Sequence, residues 1–131
     1  MKNKTKIIYR ALLFICAIYF FAVAIAHQAG IKMPMLFIFY NTPSERYQDL
    51  IISFLAFGWS MLFIIGFLDN ELKTRIQIPI LASGLIAICG LIRAQMEIQG
   101  HNEINYEISA LTILLILMVT AYITTIKENH R

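Results

Sequence analysis

Hydrophobic positions in this chain fall into four long runs, with polar positions gathered between them. The runs are IIYRALLFICAIYFFAVAIA (7–26), LIISFLAFGWSMLFIIGFL (50–68), IQIPILASGLIAICGLI (76–92) and ISALTILLILMVTAYITTI (108–126). A helix that crosses a bilayer needs about 20 mostly apolar residues, within a range of about 17–25. Each run meets that requirement. The runs are continuous rather than alternating, and too long for single strands, which sets aside a closed β-barrel. A soluble fold of this size has too little polar surface to wrap them. The pattern predicts an all-α polytopic membrane protein, a single domain over residues 1–131 forming an antiparallel four-helix transmembrane bundle.

Residues around the runs extend the helices beyond their apolar cores. TPSE (42–45) has the form of a capping box, with Thr42 as N-cap, Pro43 at the first helical position and Glu45 reaching back. Gly30 and Gly100 suit the C-terminal caps of the first and third helices. Asn102 can cap the fourth, with Glu103 near the positive end of its dipole. Pro79 falls in the first turn of the third, where its missing N–H costs little. These signals place the helices at about 7–29, 43–68, 76–99 and 103–126. The 30–42 segment is left as an outer interfacial loop. Within it, KMPMLFIFY (32–40) is too short to span, and is expected to lie at the membrane surface or fold over the bundle mouth as a lid. Tyr40 and Tyr47 read as interfacial anchors.

Composition agrees with this picture. The chain is 59% hydrophobic and 15% charged, against about 45–50% and about 25% for soluble domains. Its net charge of +3 would suit a nucleic-acid partner, but the distribution argues for topology instead. With both termini in the cytoplasm, Lys2, Lys4, Lys6, Arg10, Lys73, Arg75, Lys127 and Arg131 lie inside, and Lys32, Arg46 and Arg93 outside. That follows the positive-inside rule, and five of the eight acidic residues fall on the outer side. Residues 1–26 also carry features of a secretory signal, ending in Ala-Ile-Ala before His27. The apolar stretch from 11 to 26 exceeds the usual length of about 7–15 for such a signal, so it reads as a retained span. Cys16 and Cys89 lie within apolar runs at different depths and are expected to pack as small apolar side chains rather than to pair.

Candidate chemistry concentrates at the outer ends. At about 1.5 Å per residue, Asp49, Arg93 and Glu107 lie roughly 7–9 Å below their helix ends, and His27 nearer the surface. Asp49, Ser53, Ala56 and Ser60 form one stripe of small and polar residues on the second helix. Ser83, Ala87, Gly90 and Ala94 form a similar stripe on the third, flanked by Arg93. Small residues mark helix contacts in lipid, and an unpaired buried guanidinium is costly. The expectation is that Arg93 turns inward to Glu107 or Asp49, with His27 and Ser53 nearby. Trp59 is added as a deep ring whose indole N–H needs an acceptor. Two roles are open to this cluster. One is a structural clasp that fixes helix order; the other is a pocket for a lipid head group, ion or small amphiphile beneath the 29–49 loop.

Other chemistries find little support. The serines lack an evident base, and no phosphate-binding glycine loop or Cys-x-x-Cys pair is present. His27 and His101 form no spaced metal-ligand pair. The first helix lacks the acidic residue on which small multidrug transporters depend. No catalytic residue, metal or cofactor is expected. The reading is a non-enzymatic membrane protein of binding or accessory type. Its partners would be membrane lipids, itself or another membrane protein, and not nucleic acid. A minimal transporter or channel subunit acting as an oligomer is one alternative; an immunity-type or scaffold protein docking a second membrane protein is another.

The layout also has a likeness. A basic start leads to a long first loop, Glu45-Arg46 opens the second helix, glycines interrupt the second and third, and Arg93 closes the third. This resembles small four-helix bacterial membrane proteins of the DoxX-like type, over most of the chain. The resemblance implies a compact bundle in a bacterial inner membrane, and it carries over no catalytic residue.

Overall fold

A computed structural model describes residues 4–98 and 105–129. The chain is all-helical, with α1 (Lys4–Ala29), α2 (Arg46–Leu68), α3 (Thr74–Ile98) and α4 (Tyr106–Asn129). Each is long and apolar enough to cross a membrane. Two compact units partition it: one comprises Leu13–Leu68, the other Met1–Leu12 with Asp69–Arg131.

In the unit of residues 13–68, α1 ends as the sequence predicts. Gly30 takes φ +70, its N–H meets His27 O at 3.2 Å, and Ile31 N–H meets Ala26 O at 2.9 Å. This is a Schellman cap. The start of α2 differs from expectation: it is Arg46, not Pro43. Glu45 takes the cap position: its main-chain carbonyl accepts Gln48 N–H at 2.9 Å, and Gln48 Oε1 accepts Glu45 N–H at 3.0 Å, the returning half of a capping box. Ser44 is drawn off to the Asp49 carboxylate, so the box closes three residues later than at Thr42.

Contacts in this unit rise along α2 as they fall along α1. Phe21 meets Phe57, Phe20 stacks with Trp59 and Phe63, Ser60 donates to Ala17 O at 2.8 Å, and Phe14 meets Phe67. The buried face of α2 is Asp49, Ser53, Ala56, Ser60, Phe63 and Gly66, which includes the whole predicted stripe. Small residues there let the α1 backbone come within hydrogen-bond reach of the Ser60 hydroxyl.

The other unit contains residues 4–12 of α1 together with α3 and α4. A turn at Asp69 sets the start of α3. Its carboxylate accepts Glu71 N–H at 3.3 Å and Lys73 N–H at 2.6 Å, and its carbonyl accepts Leu72 N–H at 3.2 Å. Leu72 is buried with φ 51, a left-handed conformation that costs an ordinary side chain about 1–2 kcal/mol. This turn starts α3 at Thr74, two residues before its apolar run. Pro79 therefore lies inside the helix rather than in its first turn, and Arg75 O loses the N–H it would otherwise accept.

The predicted stripe on α3 is corrected. Its buried residues are Gln77, Ile80 and Ile88, while Gly90 is exposed and faces open space. Gly84 is the small residue that matters, since a Cβ there would stand 3.1 Å from Leu115 of α4. Asn105 caps α4, its Oδ1 accepting Ile108 N–H at 3.1 Å. The caps expected at Gly100 and Asn102, and the residues His101 and Glu103, lie outside the described residues. Cys16 is buried, Cys89 is exposed, and both are free.

Candidate functional site

The ends of α1 and α2 form the most developed polar cluster. His27 Nδ1 lies 3.3 Å from Asp49 Oδ1, both side chains more than nine-tenths buried. The Ser44 hydroxyl faces both Asp49 oxygens, at 3.2 and 3.3 Å. Ser53 Oγ sits 2.9 Å from Gln28 Oε1 and 2.8 Å from Leu50 O. The Arg46 guanidinium donates to His27 O at 2.9 Å and to Gln28 O. A Cβ on Gly30 would come within 3.4 Å of it.

Electrostatics explains why charge is tolerated here. Asp49 stands in the first turn of α2, where the dipole favours a carboxylate, and His27 in the last turn of α1, where it favours a cation. Arg46 donates to two carbonyls in the last turn of α1, Gln28 O and His27 O, the second of which also accepts Gly30 N–H. Each terminus thus favours the ionisable group that its own helix carries, and the end of α1 also receives the Arg46 guanidinium from α2.

The 30–45 segment closes over this pair. Phe37, 4% exposed, stacks on the His27 ring with centroids 3.6 Å apart. Its N–H and that of Leu36 both meet Met33 O. The Tyr19 hydroxyl donates to Met35 O at 2.6 Å and holds that residue at φ 69. Within this unit the inner residues of the loop fold as a cover over the polar ends, one of the two forms expected for it.

Only part of the expected cluster assembles. His27 and Asp49 meet, and Ser53 joins their neighbourhood through Gln28. Arg93 does not turn inward. Its Nε lies 3.2 Å from Glu97 Oε1 one turn along α3, and the two side chains are 83% and 67% exposed. It shares the exposed face with Gly90, so the flanking argument that placed it inside fails together with the stripe. A carboxylate at i+4 on its own helix pairs with the exposed guanidinium without an inward turn. Glu107 stands half-buried in the first turn of α4, where the dipole favours it. Trp59 lies ten residues beyond Asp49, about 15 Å along α2, and packs in a three-ring cluster with Phe20 and Phe63.

A second polar arrangement escaped the sequence reading. The Tyr9 hydroxyl, fully buried, donates to Gln77 Oε1 at 2.9 Å, and Gln77 Nε2 donates to Asp69 Oδ2 at 3.2 Å. The donors point in one direction, toward a half-exposed carboxylate. Tyr122 packs its ring 5.2 Å from that of Tyr9. Its hydroxyl is buried without a hydrogen-bond partner among the described residues. Beside the turn, Glu71 lies 3.0 Å from Lys73 and holds that exposed ammonium above its ordinary pKa. Gln77 gave no signal, being one uncharged residue in an apolar run. Its companion Asp69 was visible only as an inner-side charge.

At the other end of α3 and α4 there is a cleft of about 400 Å³. Ile92, Ile108 and Ile113 supply apolar walls, and Gln95, Asn105, Ser109 and Thr112 supply polar edges. Comparison with family models, with curated proteins and with solved structures finds no match to this chain.

Proposed function

We propose that this chain is a non-enzymatic membrane protein of accessory type that holds a lipid chain or small amphiphile against α3 and α4. In this reading the helices form an antiparallel bundle in a bacterial inner membrane, with both termini cytoplasmic. The distribution of basic residues supports that orientation, and the DoxX-like layout supports the compartment. The observation that carries the binding role is the α3–α4 cleft. Its volume is within the range of small-molecule sites, and its apolar walls with a few polar edges match an amphiphile. The His27–Asp49 pair takes the other role that the sequence left open, the structural clasp. Its members are satisfied by protein groups and covered by Phe37.

Binding of spin-labelled stearate to the purified full-length chain tests the assignment. Thr112→Trp, which fills the cleft from a partly exposed position, is expected to weaken binding about tenfold, a loss of roughly 1.4 kcal/mol. Unchanged binding, with the melting temperature also unchanged, contradicts the cleft as the site. Solute flux through vesicles that contain the chain would favour the transporter reading instead.

A further inference from the structure

The segment between α1 and α2 is not built like a loop meant for water. Ile31, Met33 and Met35 are 52%, 49% and 63% exposed, whereas Phe37 is buried and Leu36 packs against the Val23, Ala24 and Ala56 cluster. The inner residues fix the segment to its unit, and Tyr19 pins Met35 by its carbonyl. The exposed ones therefore form a held apolar surface, where connecting loops ordinarily carry Gly, Pro, Asn, Asp and Ser.

We propose that Ile31–Tyr40 is a membrane-interface anchor that seats Ile31, Met33 and Met35 at the boundary between lipid head groups and acyl chains, with Lys32 against lipid phosphate. This rests on the reading that α1 and α2 cross a bilayer. The location argues for lipid as the occupant. The segment lies within the 30–45 connection between the end of α1 and the start of α2, and Arg46 ties those two helix ends together. Two spans that stop at one level mark the water–lipid boundary, the depth at which amphipathic surfaces partition. Tyr40 and Tyr47, both exposed, are residues of the kind enriched there. Lys32 supplies a cation beside the apolar side chains, and its long stem lets the ammonium reach phosphate while the segment stays in place.

Fluorescence quenching tests this on the full chain in vesicles of phosphatidylcholine and phosphatidylglycerol. The chain has one tryptophan, Trp59, 13 residues past the start of α2 and so about 20 Å along that helix. In the native chain it reports on the span. Lipids brominated near the chain ends should quench it, and aqueous iodide should not. The indole introduced by Met35→Trp in a Trp59→Phe background reports on the loop. Quenching by lipids brominated high on the acyl chain, several-fold stronger than by iodide, is expected; Met33→Trp gives the same reading if the first variant folds poorly. Quenching of the loop indole by iodide alone, with Trp59 quenched from the chain ends, overturns the anchor and leaves the spans intact. Shielding from iodide without lipid quenching, growing with protein density, also overturns it and marks a face between copies. A Trp59 unaffected by brominated lipid removes the spanning reading, and the anchor with it.

Discussion

The two units bury polarity in different ways. In the unit of residues 13–68 the buried polar groups include, besides Ser53 and Ser60, an ionisable pair, His27 against Asp49 with Arg46 close by, which sits where α1 ends and α2 begins. In the unit containing α3 and α4 the buried groups are neutral, Tyr9, Gln77, Thr125 and Tyr122. Its charges stay at the rim, in Asp69 and in the exposed Lys73–Glu71 and Arg93–Glu97 pairs. Helix geometry accounts for the ionisable pair. A helix terminus offers unpaired N–H or C=O groups and a partial charge, so an ion there is partly solvated by backbone. Gln77 holds in α3 the same fourth position that Asp49 holds in α2, but its partner is a neutral hydroxyl, and an amide that relays to a rim carboxylate is the less costly way to satisfy that group.

This contrast makes the ionic end the more sensitive one. Asp49→Ala removes the carboxylate that faces the buried His27 ring and the half-buried Ser44 hydroxyl, and is expected to cost about 3 kcal/mol. Gln77→Leu, which removes the acceptor of a neutral hydroxyl and one donor to Asp69, should cost about 1–2 kcal/mol. Unfolding by denaturant in detergent micelles measures both, and equal losses would erase the distinction.

Packing on α3 provides the next test. Gly84→Ile should cost about 2 kcal/mol by overpacking against Leu115. Gly90→Ala should stabilise by up to about 1 kcal/mol, since Gly90 is a helical glycine facing open space. A reversed order would restore the small-residue stripe as the buried face.

Within the neutral network, the two tyrosines separate. Tyr9→Phe should lose about 1 kcal/mol with the Gln77 bond, whereas Tyr122→Phe should be neutral or gain about 1 kcal/mol, because its hydroxyl has no partner to lose. The smallest effect is expected at the rim. Arg93→Ala should change stability by no more than about 0.5 kcal/mol, as for an exposed i,i+4 pair.

The sequence made the helices legible because their apolar runs are long, and it made the α2 face legible because Asp49, Ser53, Ala56 and Ser60 recur at helical spacing within it. The Gly30 cap was readable for a similar reason: only a residue at ease with positive φ ends a helix in that way. On α3 the same rule misled. Small residues occur on two faces, and the contact falls on Gly84, whose neighbour Leu115 belongs to another helix and could not be foreseen. Arg93 was placed inside by adjacency to Gly90 and by the cost of an unpaired guanidinium. Glu97, four residues on, removes that cost locally. Phe37 over His27 and Arg46 over the α1 carbonyls are long-range contacts within a turn-rich segment, for which no periodic signal exists.

The central claim is that His27 and Asp49 stabilise the protein through each other, as the clasp between two helix ends. A double-mutant cycle of His27→Ala, Asp49→Ala and the paired variant, followed by unfolding in micelles, measures this directly. A coupling of at least about 1 kcal/mol is expected for a buried charge-assisted contact. Losses that simply add would show that the two residues are neighbours without being a clasp.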